Sequence, residues 1–202
     1  MKFELPILVL ASQSPRRAEI LTAVGWQFEK QTADIDETEF FGEKPEDYVR
    51  RLAREKAEVV AETRENALVL GADTIVVIDG KIIGKPKDLT DARLMLRILS
   101  GNWHEVLTGI ALVKKEEETR KKGDEGKNRK CIVGLQRTRV KFAEMSDAEI
   151  EFLVDKGAPL DKAGAYAVQA QAALFIERIE GDYWNVVGLP INLVFKLINK
   201  IK

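Results

Sequence analysis

The alternation of short apolar runs with helical stripes constrains the fold of this chain more than any other feature. Ile7 to Leu10 is an apolar run that predicts a buried strand, and Pro45 to Thr63 carries apolar residues at helical spacing. Asp79-Gly80 lies between two apolar runs and indicates a tight hairpin turn. Because strands and helices mix throughout and a hairpin joins at least one pair of strands, we predict an α/β fold with a mixed, partly antiparallel sheet.

The same two patterns predict the other elements. A helix starts at Ser14 and ends at Gly25, where glycine suits the first position beyond a helix. A capping box at Ser146 starts another helix, which runs to about Lys156. Further helices are predicted over Thr90–Leu99 and from Leu189 or Pro190 onward. Further strands are predicted over Trp26–Lys30, Ala67–Leu70, Thr74–Ile78, Lys81–Ile83, Trp103–Val113, Cys131–Phe142 and Ala173–Ile179.

One segment follows neither pattern. Lys114 to Lys130 is a low-complexity stretch of mixed charge without an apolar residue. We predict that it is an exposed hairpin insertion within a single domain spanning residues 1–202. Its mixed signs favour a solvated loop over a tail that binds nucleic acid.

Composition excludes several classes of function. The 202 residues include 32 basic and 33 acidic side chains, so no overall positive field would hold a nucleic acid polymer. With Cys131 as the single cysteine and His104 as the single histidine, an internal disulfide and a multi-histidine metal site are both excluded. A metal would be bound through oxygen, which suits Mg²⁺ or Mn²⁺. Without a signal-peptide layout or a long apolar run, we expect a cytoplasmic protein without a membrane partner.

The start of the first helix carries two arginines. Ser14 is a suitable N-cap and Pro15 a suitable first helical residue, so Arg16 and Arg17 fall where the helix dipole disfavours cations. An anion such as a phosphate group between these side chains and the free backbone N–H groups would account for them. The alternative interpretation is a pair of solvated arginines on a short helix.

Asp73 is the second candidate, because it stands between two apolar runs. Aspartate is costly to bury without a partner, so it needs a cation or a chemical role. It would orient or deprotonate a water molecule, or hold a divalent metal. Gly71 is interpreted as leaving room for a ligand beside the backbone. The alternative is a structural bend in which Asp73 accepts local N–H groups and interrupts the strand.

Three further features are weaker on local grounds. Lys85 lies on a stiff bend between Gly84 and Pro86, and is either aimed at a ligand or an ordinary surface lysine. Gln169 offers a donor and an acceptor that suit the edge of a base, or it belongs to a structural turn. An acidic loop could supply one ligand to a magnesium ion, although solvated charge explains most of it. The acids of this loop are Asp34, Asp36, Glu37 and Glu39.

Several short motifs occur in a fixed order along nearly the whole chain. They are Leu10-Ala11-Ser12-x-Ser14-Pro15-Arg16-Arg17, Arg54-Glu55-Lys56-Ala57, Gly71-Ala72-Asp73-Thr74, Lys85-Pro86, Leu99-Ser100-Gly101, Asp161-Lys162-Ala163-Gly164-Ala165-Tyr166, Gln169 and Asn185-Val186-Val187-Gly188-Leu189-Pro190. In this combination the chain resembles the Maf proteins, which are nucleoside triphosphate pyrophosphatases of the ITPase-like superfamily. The segment Lys114–Lys130 is the main departure from that resemblance.

The resemblance implies a fold and a reaction. The fold is an elongated mixed sheet with flanking helices, forming two lobes around a nucleotide-binding cleft, often in a homodimer. In the reaction, water attacks the α-phosphorus of a nucleoside triphosphate and releases the monophosphate and pyrophosphate, with a divalent cation (Mg²⁺ or Mn²⁺) as cofactor.

The resemblance also implies roles for individual residues. Asp73 is the expected general base and, with Glu37, the expected metal ligand. Thr74 and Gln169, together with Arg16, occupy positions associated with the choice of substrate. The phosphate-binding positions are Ser12, Ser14, Arg16, Arg17, Lys56 and Lys85.

Within the family, the residues at 71–74 favour the branch that acts on dTTP and UTP, including modified pyrimidine nucleotides. The branch that acts on 7-methyl-GTP tends to carry Ser-Asp-Gln there, whereas this chain has Ala72-Asp73-Thr74. That branch remains the enzymatic alternative. A nucleotide-binding regulator of septum formation and cell division, without catalysis, is the alternative of another class. The enzymatic interpretation also implies a role in nucleotide-pool sanitation.

Overall fold

A seven-stranded sheet organises the chain in a computed structural model, which describes residues 5–115 and 129–201. The strands are β1 (Leu8–Ala11), β2 (Phe28–Lys30), β3 (Leu68–Ile78), β4 (Lys81–Ile83), β5 (Trp103–Lys115), β6 (Arg129–Phe142) and β7 (Ile176–Glu180). The sheet order is β2-β1-β3-β5-β6-β7, with β4 paired to β3. Because β1 is parallel to β2 and β3 while the other pairs are antiparallel, the predicted mixed α/β sheet is confirmed.

Helices cover both faces of this sheet. They are α1 (Pro15–Ala23), α2 (Pro45–Glu62), α3 (Leu89–Leu99), α4 (Asp147–Lys156), α5 (Tyr183–Val187) and α6 (Ile191–Ile201). Three short 3₁₀ turns lie at Pro159–Asp161, Ala163–Ala165 and Gln171–Leu174. None of the helices in the described ranges is both long and apolar enough to cross a membrane.

Two strand predictions are wrong. The predicted break at residues 71–73 does not exist, because β3 runs without interruption and pairs with β5 along its length. Asp73 therefore faces Gly109 across the sheet instead of forming a bend. The last strand starts at Ile176 and not at Ala173, because a 3₁₀ turn takes up the preceding residues. Helix α5 was not predicted, since five residues are too few to show a helical period.

One of the two predicted hairpins lies within the described residues, and the other lies mostly outside them. Asp79 and Gly80 both have positive φ, at 50° and 74°, as a two-residue turn between β3 and β4 requires. Lys115 and Arg129 are still paired across β5 and β6. Most of the charged insertion predicted at about 114–130 lies outside the described residues.

The edge of β3 carries two partners with an opening between them. Strand β1 pairs with Leu68–Gly71, and β4 pairs with Val76–Ile78. The other edge of β3 pairs with β5 throughout. No strand of the described residues therefore pairs with residues 72–75 on the first edge, and this opening carries Asp73.

Helix α2 lies unusually close to the sheet. A Cβ placed on Gly71 would be 2.1 Å from the backbone oxygen of Ala53, and one on Gly109 would be 2.1 Å from that of Val49. Glycine at both strand positions is therefore required by the approach of the helix backbone. The interpretation of Gly71 as room for a ligand is wrong, since α2 fills that space.

The opposite face of the sheet is covered by two separate groups of helices. Ile20 of α1 and Val194 of α6 belong to one apolar cluster, which packs near β1. Leu96 of α3 and Leu153 of α4 belong to another, which packs near β4. Between these groups lies the opening in the edge of β3, so the predicted two lobes correspond to the two groups.

Gly71→Ala is expected to destabilise the protein by about 3 kcal/mol or more, because the new methyl group collides with backbone that has no room to move. Urea denaturation of wild type and variant would measure the difference. Gly84→Ala is the matched control, since a Cβ there meets nothing within 4 Å. A free energy of unfolding within about 0.5 kcal/mol of wild type for Gly71→Ala would contradict the expectation.

Candidate active site

A cleft of about 700 Å³ opens at the gap in the edge of β3. Its walls are the start of α1, the acidic loop before α2, the loop after β4 and the 3₁₀ turns that follow Pro159. All ten residues selected from the sequence line this one cleft: Ser12, Ser14, Arg16, Arg17, Glu37, Lys56, Asp73, Thr74, Lys85 and Gln169. These residues are far apart in the sequence, and the sheet and the packing of α2 bring them together in space.

The centre of the cleft is a buried ion pair between Asp73 and Lys56. The Lys56 Nζ atom lies 2.6 Å from Asp73 Oδ1 and 2.7 Å from Glu37 Oε1. Asp73 is 8% exposed and Lys56 is 9% exposed, whereas the side chain of Glu37 is half exposed. One ammonium group thus joins the strand carboxylate to the carboxylate of the acidic loop.

Electrostatics around Glu37 follow from this arrangement. Partial burial acts to raise the pKa of Glu37, but the hydrogen bond from Lys56 and the charges of Lys56, Lys85 and Arg17 outweigh it, so the pKa lies below its ordinary value. Tyr48 donates from its hydroxyl to the Glu37 carbonyl at 2.8 Å. Burial, followed by the charges of Asp73 and Glu37, raises the pKa of Tyr48 to about 12.

Arg17 connects three elements inside the protein, a role that its interpretation as a phosphate-binding residue did not include. It is 9% exposed. Its Nε donates to the Gly188 carbonyl at 2.9 Å, Nη1 to Ser12 Oγ at 3.0 Å and Nη2 to Thr74 Oγ1 at 3.0 Å. Burial lowers the pKa of Arg17, although the charge of Asp73 opposes this. The guanidinium therefore ties α1, β3 and the turn after α5 together.

The start of α1 is built differently from the prediction. Ser14 occupies the N-cap position, but its side chain makes no capping hydrogen bond. Instead, the Ser14 backbone N–H donates to Ser12 Oγ at 3.2 Å. Ser12 thereby accepts from both this N–H and Arg17, which fixes the backbone turn that leads into the helix.

Arg16 reaches across the cleft. Its Nη1 lies 3.3 Å from Asp161 Oδ2, and its Nη2 donates to the Asp161 carbonyl at 3.3 Å. Lys162 contacts the other oxygen of the same carboxylate at 2.6 Å. The first turn of α1 is thus joined to the opposite wall by an ion pair that is open to solvent.

Lys85 and Gln169 are exposed on the cleft walls. Neither side chain makes a hydrogen bond or an ion pair within the described residues. The Gly164 N–H donates to the Gly84 carbonyl at 3.0 Å, so the loop of Lys85 is tied to the wall that leads to Gln169. Both side chains are available to a ligand.

The carboxylates fit a metal that arrives with an anionic ligand. Among the described residues, no three His, Cys, Asp or Glu side chains form a metal cage. Glu37 and Asp73 nevertheless face one point, because both contact the same ammonium group. Mg²⁺ beside phosphates is held by one or two carboxylates, and the phosphates complete its oxygen shell.

Two residues were missed in the sequence, one that lies directly behind the cleft and one that lines it. Thr108 on β5 lies 3.0 Å from Thr74 through their hydroxyl oxygens and also bonds to the Asn185 carbonyl. A polar residue within the apolar stretch of β5 was the available signal. Tyr48 was assigned to an apolar stripe, and nothing in the sequence distinguishes its contact with the acidic loop.

A comparison with models of known protein families identifies the family of this chain. The model described as "Maf: Maf-like protein" matches residues 7–201. The chain belongs to the Maf-like protein family. The resemblance that was drawn from the ordered motifs is therefore confirmed over nearly the whole length of the chain.

Relatives carry a common description. Proteins described as dTTP/UTP pyrophosphatase in Hahella chejuensis and Citrifermentans bemidjiense are 49% and 50% identical, over 91% of this chain and 87% and 90% of theirs. One from Thermotoga maritima is 43% identical, over 95% of this chain and 87% of its own. "The structure of the Staphylococcus aureus Ham1 protein" aligns at a TM-score of 0.48 and 14% identity, covering 98% of this chain and all of that one.

Arg17→Lys is expected to destabilise the protein by about 1–3 kcal/mol, because an ammonium group cannot make the three divergent bonds and leaves buried acceptors unpaired. Thermal or urea unfolding would measure it. Arg16→Lys is the neighbouring control and is expected to change stability by less than about 0.5 kcal/mol, since its ion pair is solvated. Equal effects of the two substitutions would count against the connecting role of Arg17.

Proposed function

We propose that this protein is a nucleoside triphosphate pyrophosphatase that converts dTTP and UTP to the monophosphate and pyrophosphate. The observation that carries the proposal is the buried Asp73–Lys56–Glu37 cluster at the open edge of β3, inside a cleft lined by further cations. The shared description of the relatives, dTTP/UTP pyrophosphatase, supports the substrate class.

Four cationic side chains surround the place proposed for the triphosphate. Arg16 and Arg17 lie at the start of α1, Lys56 lies on α2 and Lys85 follows β4. Phosphoryl transfer depends on positioning and on neutralising charge rather than on covalent help from the protein. Cations on three sides of one cleft, together with the free N–H groups of a helix start, suit both needs.

Asp73 is proposed as the general base. A water molecule held by its carboxylate would attack the α-phosphorus, the proton would pass to the carboxylate, and the bond between the α-phosphorus and the bridging oxygen would break. Pyrophosphate would leave with the electron pair of that bond. Lys56, which touches the same carboxylate, holds it in place and keeps its charge stable in a buried position.

Mg²⁺ or Mn²⁺ is the proposed cofactor. The residues that would hold it are Glu37 and Asp73, whose carboxylates face one point. When bound, a divalent cation would neutralise phosphate charge and lower the pKa of a bound water molecule. Lys56 contacts both carboxylates, so a divalent cation bound between them would displace its ammonium group, which would then turn to the phosphates.

The choice of nucleotide is proposed to depend on Arg16, Thr74 and Gln169. The Thr74 hydroxyl is already engaged by Arg17 and Thr108, so its contribution is the shape of the cleft floor. Gln169 carries an amide that is open to the cleft and suits the polar edge of a pyrimidine. The ion pair of Arg16 with Asp161 spans the two walls of the cleft.

Asp73→Asn is expected to lower kcat by about 100- to 10,000-fold, because the amide cannot accept the proton of the attacking water. Release of pyrophosphate from dTTP would measure the loss, and an unfolding curve would show that the variant folds. Asp79→Asn, in the exposed hairpin turn, is the matched control and should retain wild-type activity. Near-wild-type turnover by Asp73→Asn would reject the proposed base.

A panel of triphosphates with and without Mg²⁺ or Mn²⁺ tests the function as a whole. We expect turnover of dTTP and UTP that exceeds that of purine nucleotides, and complete loss of turnover with EDTA. Preferred hydrolysis of 7-methyl-GTP would instead assign the chain to the other branch. If calorimetry shows tight binding of nucleotides and none of them is hydrolysed, the proposed enzymatic activity is overturned and a nucleotide-binding regulator is favoured.

A further inference from the structure

His104, the single histidine, lies in the core beneath one wall of the cleft. It is 2% exposed, and its Nε2 lies 2.8 Å from the hydroxyl of Tyr166. Phe142 stacks on the histidine ring at 5.5 Å and meets the Tyr166 ring edge-on at 5.0 Å. The other ring nitrogen, Nδ1, has no partner in the described part of the chain. The hydroxyl of Tyr166 is therefore the polar contact on which the buried ring depends.

Tyr166 connects this core group to the cleft. Its side chain is 7% exposed, and the residue lines the cleft together with Ala167, Val168 and Gln169. Just before it, Gly164 and Ala165 both have positive φ, at 67° and 63°. A left-handed conformation is strained for alanine, so the surroundings must hold this turn in place.

Two contacts hold the turn. The Gly164 N–H donates to the Gly84 carbonyl at 3.0 Å, on the side of Lys85. On the other side, the Tyr166 ring packs edge-on against both His104 and Phe142, and its hydroxyl lies within hydrogen-bond distance of His104. The path of residues 167–169 after the turn therefore depends on the position in which the Tyr166 side chain is held.

The part of the cleft that this segment lines differs from the cationic part. Its lining side chains are mostly apolar and small, with the amide of Gln169 among them. A planar, uncharged base suits such a surface, whereas phosphate suits the arginines and lysines. The apolar lining residues here are Ala163, Ala167, Val168, Val186 and Val187.

We propose that His104 and Tyr166 are positioning residues that hold the wall at residues 163–169 against the base of the nucleotide. This inference rests on the proposed function. Neither residue contacts the reacting phosphate; together they set the affinity for the nucleoside part and leave the triphosphate part unaffected. Burial lowers the pKa of His104 to about 4, so the ring is uncharged at neutral pH and acts as a hydrogen-bond partner of Tyr166.

Tyr166→Phe tests the pair, because it removes the hydroxyl and keeps the ring. We expect KM for dTTP and UTP to rise about 3- to 10-fold, with kcat changed by less than about twofold, because a wall that has lost this buried hydrogen bond is less ordered before the base binds. Inorganic tripolyphosphate, used as a competitive inhibitor, should keep its wild-type inhibition constant. Tyr183→Phe, an exposed tyrosine outside the cleft, is the matched control and should change neither constant.

Substitutions of His104 provide a second test. His104→Leu should raise KM as Tyr166→Phe does, and the double variant should be no worse than either single variant, because both remove the same bond. His104→Gln, which can still bond to the tyrosine hydroxyl, should lie closer to wild type. Independent, multiplying effects of the two substitutions on KM would overturn the pairing.

Four outcomes distinguish a failure of this inference from a failure of the proposed function. An unchanged KM in Tyr166→Phe would overturn it, and so would a parallel weakening of nucleotide and tripolyphosphate, which a general structural defect would produce. If wild type binds UTP without hydrolysing it, the proposed function fails alone, and the same comparison of UTP with tripolyphosphate by calorimetry still decides the role of the pair. If wild type binds neither nucleotide, both proposals fail.

Discussion

The close approach of α2 to the sheet is the constraint on which the site depends. Gly71 and Gly109 remove two side chains from the surface of the sheet, so the helix backbone comes into direct contact with the strands. At that distance Lys56 reaches Asp73 with an ordinary ion-pair geometry. Any bulk at either glycine would lift the helix and separate the two charges. The role proposed for Asp73 therefore depends on glycine, with no Cβ atom, at positions 71 and 109.

Buried charge in this protein is balanced locally. Asp73 is paired with Lys56, and Arg17 is surrounded by a carbonyl and two hydroxyl oxygens. Removing one partner from such a group costs far more than the pair contributes, because the remaining charge or donor is left desolvated. The buried charged groups of the cleft, which are Asp73, Lys56 and Arg17, are therefore held in place by protein partners before any ligand enters.

Much of the fold and the site could be predicted because they rest on local signals. The hairpin at Asp79-Gly80 and the helical stripe of α2 are local patterns, and the ordered motifs collected ten residues that do line one cleft. What failed depends on contacts distant in sequence. Gly71 was taken as space for a ligand, yet its neighbour is a helix that ends nine residues before it in the chain. Arg17 was interpreted as a phosphate-binding side chain, and its internal contacts were not predicted because two of its acceptors, Thr74 and Gly188, lie far along the chain.

The interrupted edge of β3 has a consequence for the behaviour of the protein in a crowded solution. An unpaired strand edge is normally a place where another chain can add itself to the sheet. Here β1 and β4 flank the free stretch on both sides and leave only residues 72–75 without a partner. A foreign strand that entered would collide with its own neighbours before it could form a ladder. The gap is wide enough for a small molecule and too short for another strand to pair with β3. The open edge therefore does not promote aggregation by strand addition.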